Sequence, residues 1–306
     1  AYKHGLFATP EFLGELNMLG FDQEIALGEF AAENYNANET VNAAYVMVTD
    51  QLGPKTKAIV GARLEATAID YTGFEYDETV DESLADLRQV SGSNNYTNIL
   101  PNVTLQHSAN NLVLNAAYTV SLARPAYFDL VPYREVNSED EEIAIGNPNL
   151  EATVSNNFDA MAEYYFGAVG LVSAGVFTKS IDNWLYTFSD DNFEGFSGEY
   201  AGFDYEQVRN GSSASVTGFE IGVQSRLDFL PGFLGNTTFY GNYTYTNSST
   251  DGVEGREDVP LVGATENMFN ASLAYETKNF FLRASLNYQG ENLDEVGGNS
   301  FEDRWY

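Results

Sequence analysis

A chain of 306 residues with 45 acidic and 14 basic side chains carries a net charge of −31, which makes it a poor partner for nucleic acid, whose phosphates need Lys and Arg. It has no cysteine, and its two histidines, His4 and His107, leave little for a histidine-based metal or catalytic site. No apolar run approaches the ~18 residues of a transmembrane helix, yet a mean hydropathy of −0.28 suits a membrane barrel whose strands alternate lipid-facing and polar residues.

Residues 1–20 have neither a basic start nor a continuous apolar core, so no signal peptide opens the sequence, and the expectation is a piece of a longer precursor. The first 37 residues read as a long loop. Five hairpins then follow, each a pair of alternating strands around a tight turn. They span 40–50 with 56–69, 98–108 with 111–122, 154–166 with 171–182, 214–228 with 236–247, and 267–276 with 280–290. Phe269, Ala271, Leu273 and Tyr275 share one face, and Asn270, Ser272, Ala274 and Glu276 the other. Ala58, Val60, Ala62, Leu64 and Ala66 likewise oppose Gly61, Arg63, Glu65 and Thr67.

Long connections separate the hairpins, at 70–97, 123–153, 183–213 and 248–266. Much of the acid lies there, including Glu139, Asp140, Glu141 and Glu142, and Asp190, Asp191, Glu194 and Glu199. The acid fits either solubility in a salty habitat or loops that collect divalent cations. The run Ser138–Glu142 lacks the spaced ligands and turn glycine of a calcium loop and reads as a solvated loop. Residues 82–89 read as a short helix, with Leu84 and Leu87 packing downward. Strands of this length, with short turns alternating strictly with long loops, indicate an outer-membrane barrel rather than a sandwich. About 30 residues per strand favours a large receptor barrel, a class that reaches 22 strands.

The stretch from Leu100 to Phe177 carries a specific succession. Leu100-Pro101-Asn102-Val103-Thr104-Leu105 is followed by Ser121-Leu122-Ala123-Arg124-Pro125, by Gly146-Asn147-Pro148-Asn149-Leu150, and by Ser155-Asn156-Asn157-Phe158-Asp159. That order resembles the barrel of TonB-dependent receptors, over about residues 35–306. Where the family often has Lys-Pro, Glu151-Ala152 stands here, a change expected to loosen the entry into the next strand slightly. The resemblance implies an all-β, antiparallel transmembrane β-barrel, with ten of its strands present, short periplasmic turns and long extracellular loops. Residues 1–306 would be a partial barrel domain, with the plug and one or more closing strands absent from the chain.

The implied function is active uptake across the outer membrane of a Gram-negative bacterium, energised by the TonB–ExbB–ExbD system through the plug. Outer-membrane lipid and lipopolysaccharide would surround the barrel. The substrate would be a small-molecule nutrient, with an oligosaccharide favoured and a ferric siderophore or other metal chelate as the alternative. A passive porin or an adhesin-type barrel without a plug, and a soluble all-β binding protein, are the competing classes. No cofactor, metal site or catalytic constellation is expected, and the protein reads as no enzyme.

Two groups of candidate residues follow. Arg63, Glu65, Asn157, Asp159, Glu163, Glu220, Gln224 and Arg226 fall on polar faces and would line the lumen, where they either meet a plug or substrate or form a hydrated wall. Asn183, Trp184, Tyr186, Asn192, Phe193 and Tyr200 cluster in one long loop. Their aromatic faces either stack on a ligand or pack the loop onto its neighbours.

Overall fold

The computed structural model describes residues 27–77, 80–167, 169–196, 198–253, 256, 259–296 and 304–305. Most of the expected opening loop, with His4, lies outside them. The described part of that stretch is ordered differently from expectation. A helix, α1 (Leu27–Glu33), precedes strand β1 (Asn36–Gly53), which starts before residue 37.

Ten long strands carry the fold: β1, β2 (Thr56–Asp77), β3 (Arg88–Ala109), β4 (Leu112–Ala123), β7 (Thr153–Phe166), β8 (Gly170–Asp182), β11 (Ser213–Arg226), β12 (Thr237–Asp251), β13 (Asn267–Thr277) and β14 (Phe280–Gln289). Between them stand β5 (Arg134–Asn137), β6 (Glu142–Ile145), β9 (Leu185–Asp190) and β10 (Asp204–Asn210). Each long strand pairs antiparallel with the next long strand in the chain, giving one continuous meander. The five hairpins lie where alternation puts them. Their turns use Asn110 and Gly167 at φ 54 and 58, the left-handed region that glycine and asparagine tolerate.

Directly opposed residues of an antiparallel pair project to the same side, so the register fixes two faces. One row runs Gly61–Asn102–Thr119–Asn157–Lys179–Val216–Ser248 across seven strands. The opposite face carries Ile99, Val176 and Leu286, which are 67%, 59% and 59% exposed, with Val60, Leu114, Phe158 and Ile221 beside them. An apolar face of that extent, bare on nine of the ten long strands and partly exposed on β12, is not one a soluble sheet leaves in water. It is the lipid-facing side of a barrel wall, and the polar side is the lumen.

Several connections are more structured than expected. β2 continues to Asp77 and β3 begins at Arg88, so most of 70–97 is strand, and Arg88 pairs with Glu75 across the hairpin. No helix forms over 82–89; residues 84–86 turn and Arg88 enters β3. Leu87 is buried there, whereas Leu84 stays exposed.

The second and third long loops form a small sheet of their own. β5 adds parallel to the outer end of β2, β6 pairs with β5, β10 lies parallel to β6, and β9 closes the set. This loop sheet and its short helix α2 (Tyr127–Leu130) pack over the lumen side. Leu130, Val131 and Leu150 bury against Ile69 and Tyr71 of β2, with Tyr96 and Ala37 alongside. A second cluster joins Trp184 and Tyr186 to Ala214 of β11, Val253, Val259 and Leu293. Among the described residues the buried apolar clusters thus lie under the loops, not between two stacked sheets.

Candidate functional site

The register places Arg63, Glu65, Asn157, Asp159, Glu163, Glu220, Gln224 and Arg226 on one face, the lumen face. They do not converge on one point. Asn157 is buried among Thr119, Ser121 and Ser155, donating through Nδ2 at 3.1–3.4 Å and accepting from Ser155 Oγ at 2.8 Å. Glu163 accepts from Tyr165 Oη, and Asp159 is exposed. Glu220 and Gln224 line a groove of about 400 Å³ of mixed polar and apolar lining, with Ser173, Tyr240, Asn242 and Thr244 as its other polar side chains, and Arg226 is exposed further along the same strand.

Arg63 and Glu65 belong to an ion-pair network higher on the wall. Arg63 Nε donates to Glu65 Oε1 at 2.6 Å, and Arg124 Nη2 to Glu65 Oε2 at 2.6 Å and Thr67 Oγ1 at 3.2 Å. Arg124 Nε stands 3.3 Å from Glu39 Oε1, and Tyr127 of α2 donates to Glu39 Oε2 at 3.0 Å. Arg124 stands at the end of β4, where a rim residue would meet a loop acid or a ligand. Its partners are Glu65 and Glu39, on two strands of the wall. The spacing in Ser121-Leu122-Ala123-Arg124-Pro125 has a local reason: Pro125 cannot extend the ladder, so the chain leaves β4 and Arg124 turns toward the lumen carboxylates.

The Gly146-Asn147-Pro148-Asn149-Leu150 motif fastens the cap. A Cβ on Gly146 would overlap the Val131 carbonyl, so only glycine lets α2 and β6 approach. Asn147 accepts from Asn149 N–H at 3.1 Å and donates to the Val208 carbonyl of β10 at 3.0 Å, linking the second and third loops. Pro148 O accepts from Tyr71 Oη, Leu150 O accepts from Asn94 Nδ2, and Leu150 itself is 1% exposed. Glu151 does not loosen the strand entry as expected: its N–H donates to Asn210 Oδ1 at 2.9 Å and its carboxylate accepts from Asn183 Nδ2 at 2.7 Å.

The six loop candidates divide by burial. Trp184 and Tyr186 are 2% and 6% exposed, with Trp184 Nε1 donating to Asp251 O and Tyr186 Oη to Gly252 O. They offer no free ring face, because with Phe188 they form a period-two buried row that runs into β9. Asn183 holds Glu151 at φ 57. Asn192 caps its own turn on Asp190 and Asp191. Phe193 is half-buried and stacks on Tyr205 at 4.7 Å, and Tyr200 donates to Asp77 of β2. Arg209 sits over the Phe188 ring at 3.6 Å.

Burial also acts on the cap's ionisable groups. It pushes the carboxyls of Asp129 and Glu135 above the usual carboxylate range, in Glu135 helped by the charge of Glu142. It pushes the Tyr133 hydroxyl up too, reinforced by Asp129, Glu135 and Glu206. Among the described residues no group of three or more His, Asp or Glu is placed to hold a metal ion.

The model of the outer membrane protein beta-barrel family matches residues 20–300. No curated protein matches the chain in sequence. Among solved structures, the copper transporter OprC is similar at TM-score 0.62 and 13% identity, covering 85% of this chain and 37% of its own. The ferric-catecholate import receptor Fiu of E. coli K12 has TM-score 0.61 and 16% identity, over 89% of this chain and 38% of its own. The hemophore receptor HasR of Serratia marcescens has TM-score 0.58 and 12% identity, over 83% and 44%. The chain spans less than half the length of these proteins, which at such identity share its fold, the strand meander of an outer-membrane barrel wall. With the family model spanning nearly all of it and an apolar face bare on nine of its ten long strands, the chain belongs to the outer membrane protein beta-barrel family and is a protein of the Gram-negative outer membrane.

Proposed function

We propose that the protein containing this chain is an active-transport receptor, taking up a nutrient with energy delivered by TonB–ExbB–ExbD through a plug. The observation that carries this reading is the inward-folded loop sheet over a polar lumen wall. A mouth covered by its own loops suits capture and gated entry better than free diffusion, which disfavours the passive porin. Arg63, Glu65, Asn157, Asp159, Glu163, Glu220, Gln224 and Arg226 are the proposed surface for the plug or the substrate path. Residues 1–306 are proposed to be part of a larger barrel domain, with outer-membrane lipid and lipopolysaccharide against its apolar face.

The nutrient is proposed to be a neutral oligosaccharide. Exposed loop acids such as Glu139, Asp140, Glu194 and Glu199 would repel anionic chelates within a Debye length of about 8 Å. With Trp184 and Tyr186 buried as supports, Asn192, Phe193 and Tyr200 are the loop candidates that keep some exposed surface toward a ligand while held by their own contacts. A second reading, metal-chelate uptake, draws on the copper, ferric-catecholate and hemophore functions named for the similar structures. The test is uptake in the native cell, with and without the gene and with and without TonB. Loss of sugar uptake in both deletions is expected. Iron-limited growth failure with sugar uptake intact would replace the oligosaccharide by a chelate.

A further inference from the structure

On the lipid-facing side the register aligns side chains of unequal size. One row runs Leu105–Ala116–Ala160–Val176–Phe219–Tyr245, and the next toward the short turns runs Leu114–Ala162–Ala174–Ile221. Four alanines leave the wall low where these rows cross β4, β7 and β8. Larger rings stand around them: Tyr118 and Phe158, with centroids 4.7 Å apart, on the loop side, and Phe219 and Tyr245, 5.6 Å apart, across β11 and β12. The result is a groove in two adjoining parts of about 810 and 440 Å³, with Ala160, Val176 and Phe219 lining both. Each volume lies in the range of about 300–1,000 Å³ in which proteins hold small apolar ligands. The end of the groove toward the long loops is polar but uncharged. Thr178 and Thr217 share a hydrogen bond at 3.1 Å beside Asn247, and one row higher Asn156 accepts from Tyr118 Oη and Ser215 bonds Ser249. Among the described residues, no Lys or Arg takes a lipid-facing position on β4, β7, β8, β11 or β12.

We infer that this groove holds acyl chains of one lipopolysaccharide molecule as a fixed part of the wall. The inference rests on the lipid contact proposed above and gives it a place. The groove opens on the apolar face, so its occupant comes from the bilayer. β7 enters the wall from the second long loop at Thr153 and β8 leaves it for the third at Asp182, so Phe158 and Thr178 lie in the outward half, the leaflet of lipopolysaccharide. Lipid tails are as apolar as leucine, so burial from water cannot retain a chain there. Extra contact can: a chain in the groove meets protein on its floor and both flanks, whereas one on a flat wall meets it on one side. Two adjoining parts suit neighbouring chains carried on one head. The Thr178–Thr217 pair and Asn247 stand where the ester and amide links of those chains enter the hydrocarbon, and hydroxyl and amide groups can donate to their carbonyls. With no cation on this surface, the chains and their linkages carry the binding, not the phosphates.

The experiment uses the full-length protein, extracted from its own outer membrane in mild detergent and then washed in a harsher one. Native mass spectrometry counts the lipopolysaccharide and phospholipid retained before and after the wash. Wild type is compared with Ala160→Phe, which fills the junction of the two parts, and with Val60→Phe, on the same face but outside the groove. One lipopolysaccharide per protein is expected to survive the wash in wild type and in Val60→Phe. Ala160→Phe is expected to lower the retained fraction about tenfold. Retention should be unchanged in about 1 M salt, which screens charged contacts and leaves apolar ones. Heat-modifiable migration in gels confirms that each variant folds. Equal loss or equal retention in all three proteins would overturn the inference, as would loss in salt, or a phospholipid, an apolar polypeptide or a second copy of the protein retained in place of lipopolysaccharide. Lipopolysaccharide absent even before the wash would overturn the general lipid contact as well, whereas lipopolysaccharide present before it and lost equally afterwards would overturn the groove alone.

Discussion

Single residues decide how the loops stay folded over the lumen. Gly146 has no space for a side chain, because Val131 O occupies the place of its Cβ. Asn147 bonds to its own turn and to β10, so one amide links the second long loop to the third. Gly146→Ala is expected to push α2 away from β6, and Asn147→Ala to unlink the two loops. Each should cost the cap about 1–3 kcal/mol, the range for overpacking or for polar groups left unmet. Limited proteolysis between residues 126 and 150 should accelerate in both variants while the barrel's heat-modifiable migration is unchanged. An unaltered cleavage rate would show that the motif does not hold the cap. Trp184 teaches a related lesson about reading side chains. Trp184, Tyr186 and Phe188 recur at period two, the signature of a strand with one covered face. That spacing was available in the sequence and argues for burial, which is where the structure places Trp184 and Tyr186.

At the scale of elements, the cap carries a pH dependence with a definite sign. Burial raises the carboxyl pKa of Asp129 and Glu135, so the folded cap favours their protonated forms. A raised carboxyl contributes stability that is fully present below its unfolded value, about 4, and lost as pH rises through its folded value. Protection of amide hydrogens over residues 127–137, corrected for intrinsic exchange, is therefore expected to fall between pH 4 and neutrality. Protection that rises over that range would mean that ionised partners dominate the cap.

Legibility differed between the wall and the cap for a physical reason. In the bilayer each strand must alternate apolar and polar residues, and the hairpin 154–166 with 171–182 emerged within one residue of β7 and β8. Above the bilayer the outward face meets water instead of lipid, so Asp70, Thr72, Ser91, Ser93 and Asn95 are polar and read as loop although they are paired strand. β5 and β6 have only 4 residues each, too few for a period to stand out. The eight lumen residues were legible because parity alone assigns a face. The network around Arg124 was not, since Glu39 and Tyr127 come from segments read as loop or loop boundary, and only the β1–β2 register and the folded cap bring them beside Arg124.

For the whole molecule, the open wall has a consequence that can be measured. The long strands from β2 to β13 have long-strand neighbours on both sides, whereas among the described residues β1 and β14 each pair along one edge only. Their free edges are long and partly apolar: Val46, Met47 and Val48 of β1, and Phe281, Leu282 and Leu286 of β14, are all more than half exposed. A transmembrane barrel is stable because closure leaves no backbone group unpaired in hydrocarbon. Unpaired edges of this length are templates for pairing with another chain. The 306-residue chain, refolded by itself in detergent, is therefore expected to form oligomers or aggregates and to show no heat-modifiable monomer band. Supplying the strands that complete the wall in the same polypeptide should restore that band. Lysine at Val46 and Val48 should reduce aggregation of the short chain without making it a closed monomer, because charge blocks edge pairing but provides no partner strand. A heat-modifiable monomer from residues 1–306 alone would show that β1 and β14 meet each other, and that ten strands close a smaller barrel than the receptor fold implies.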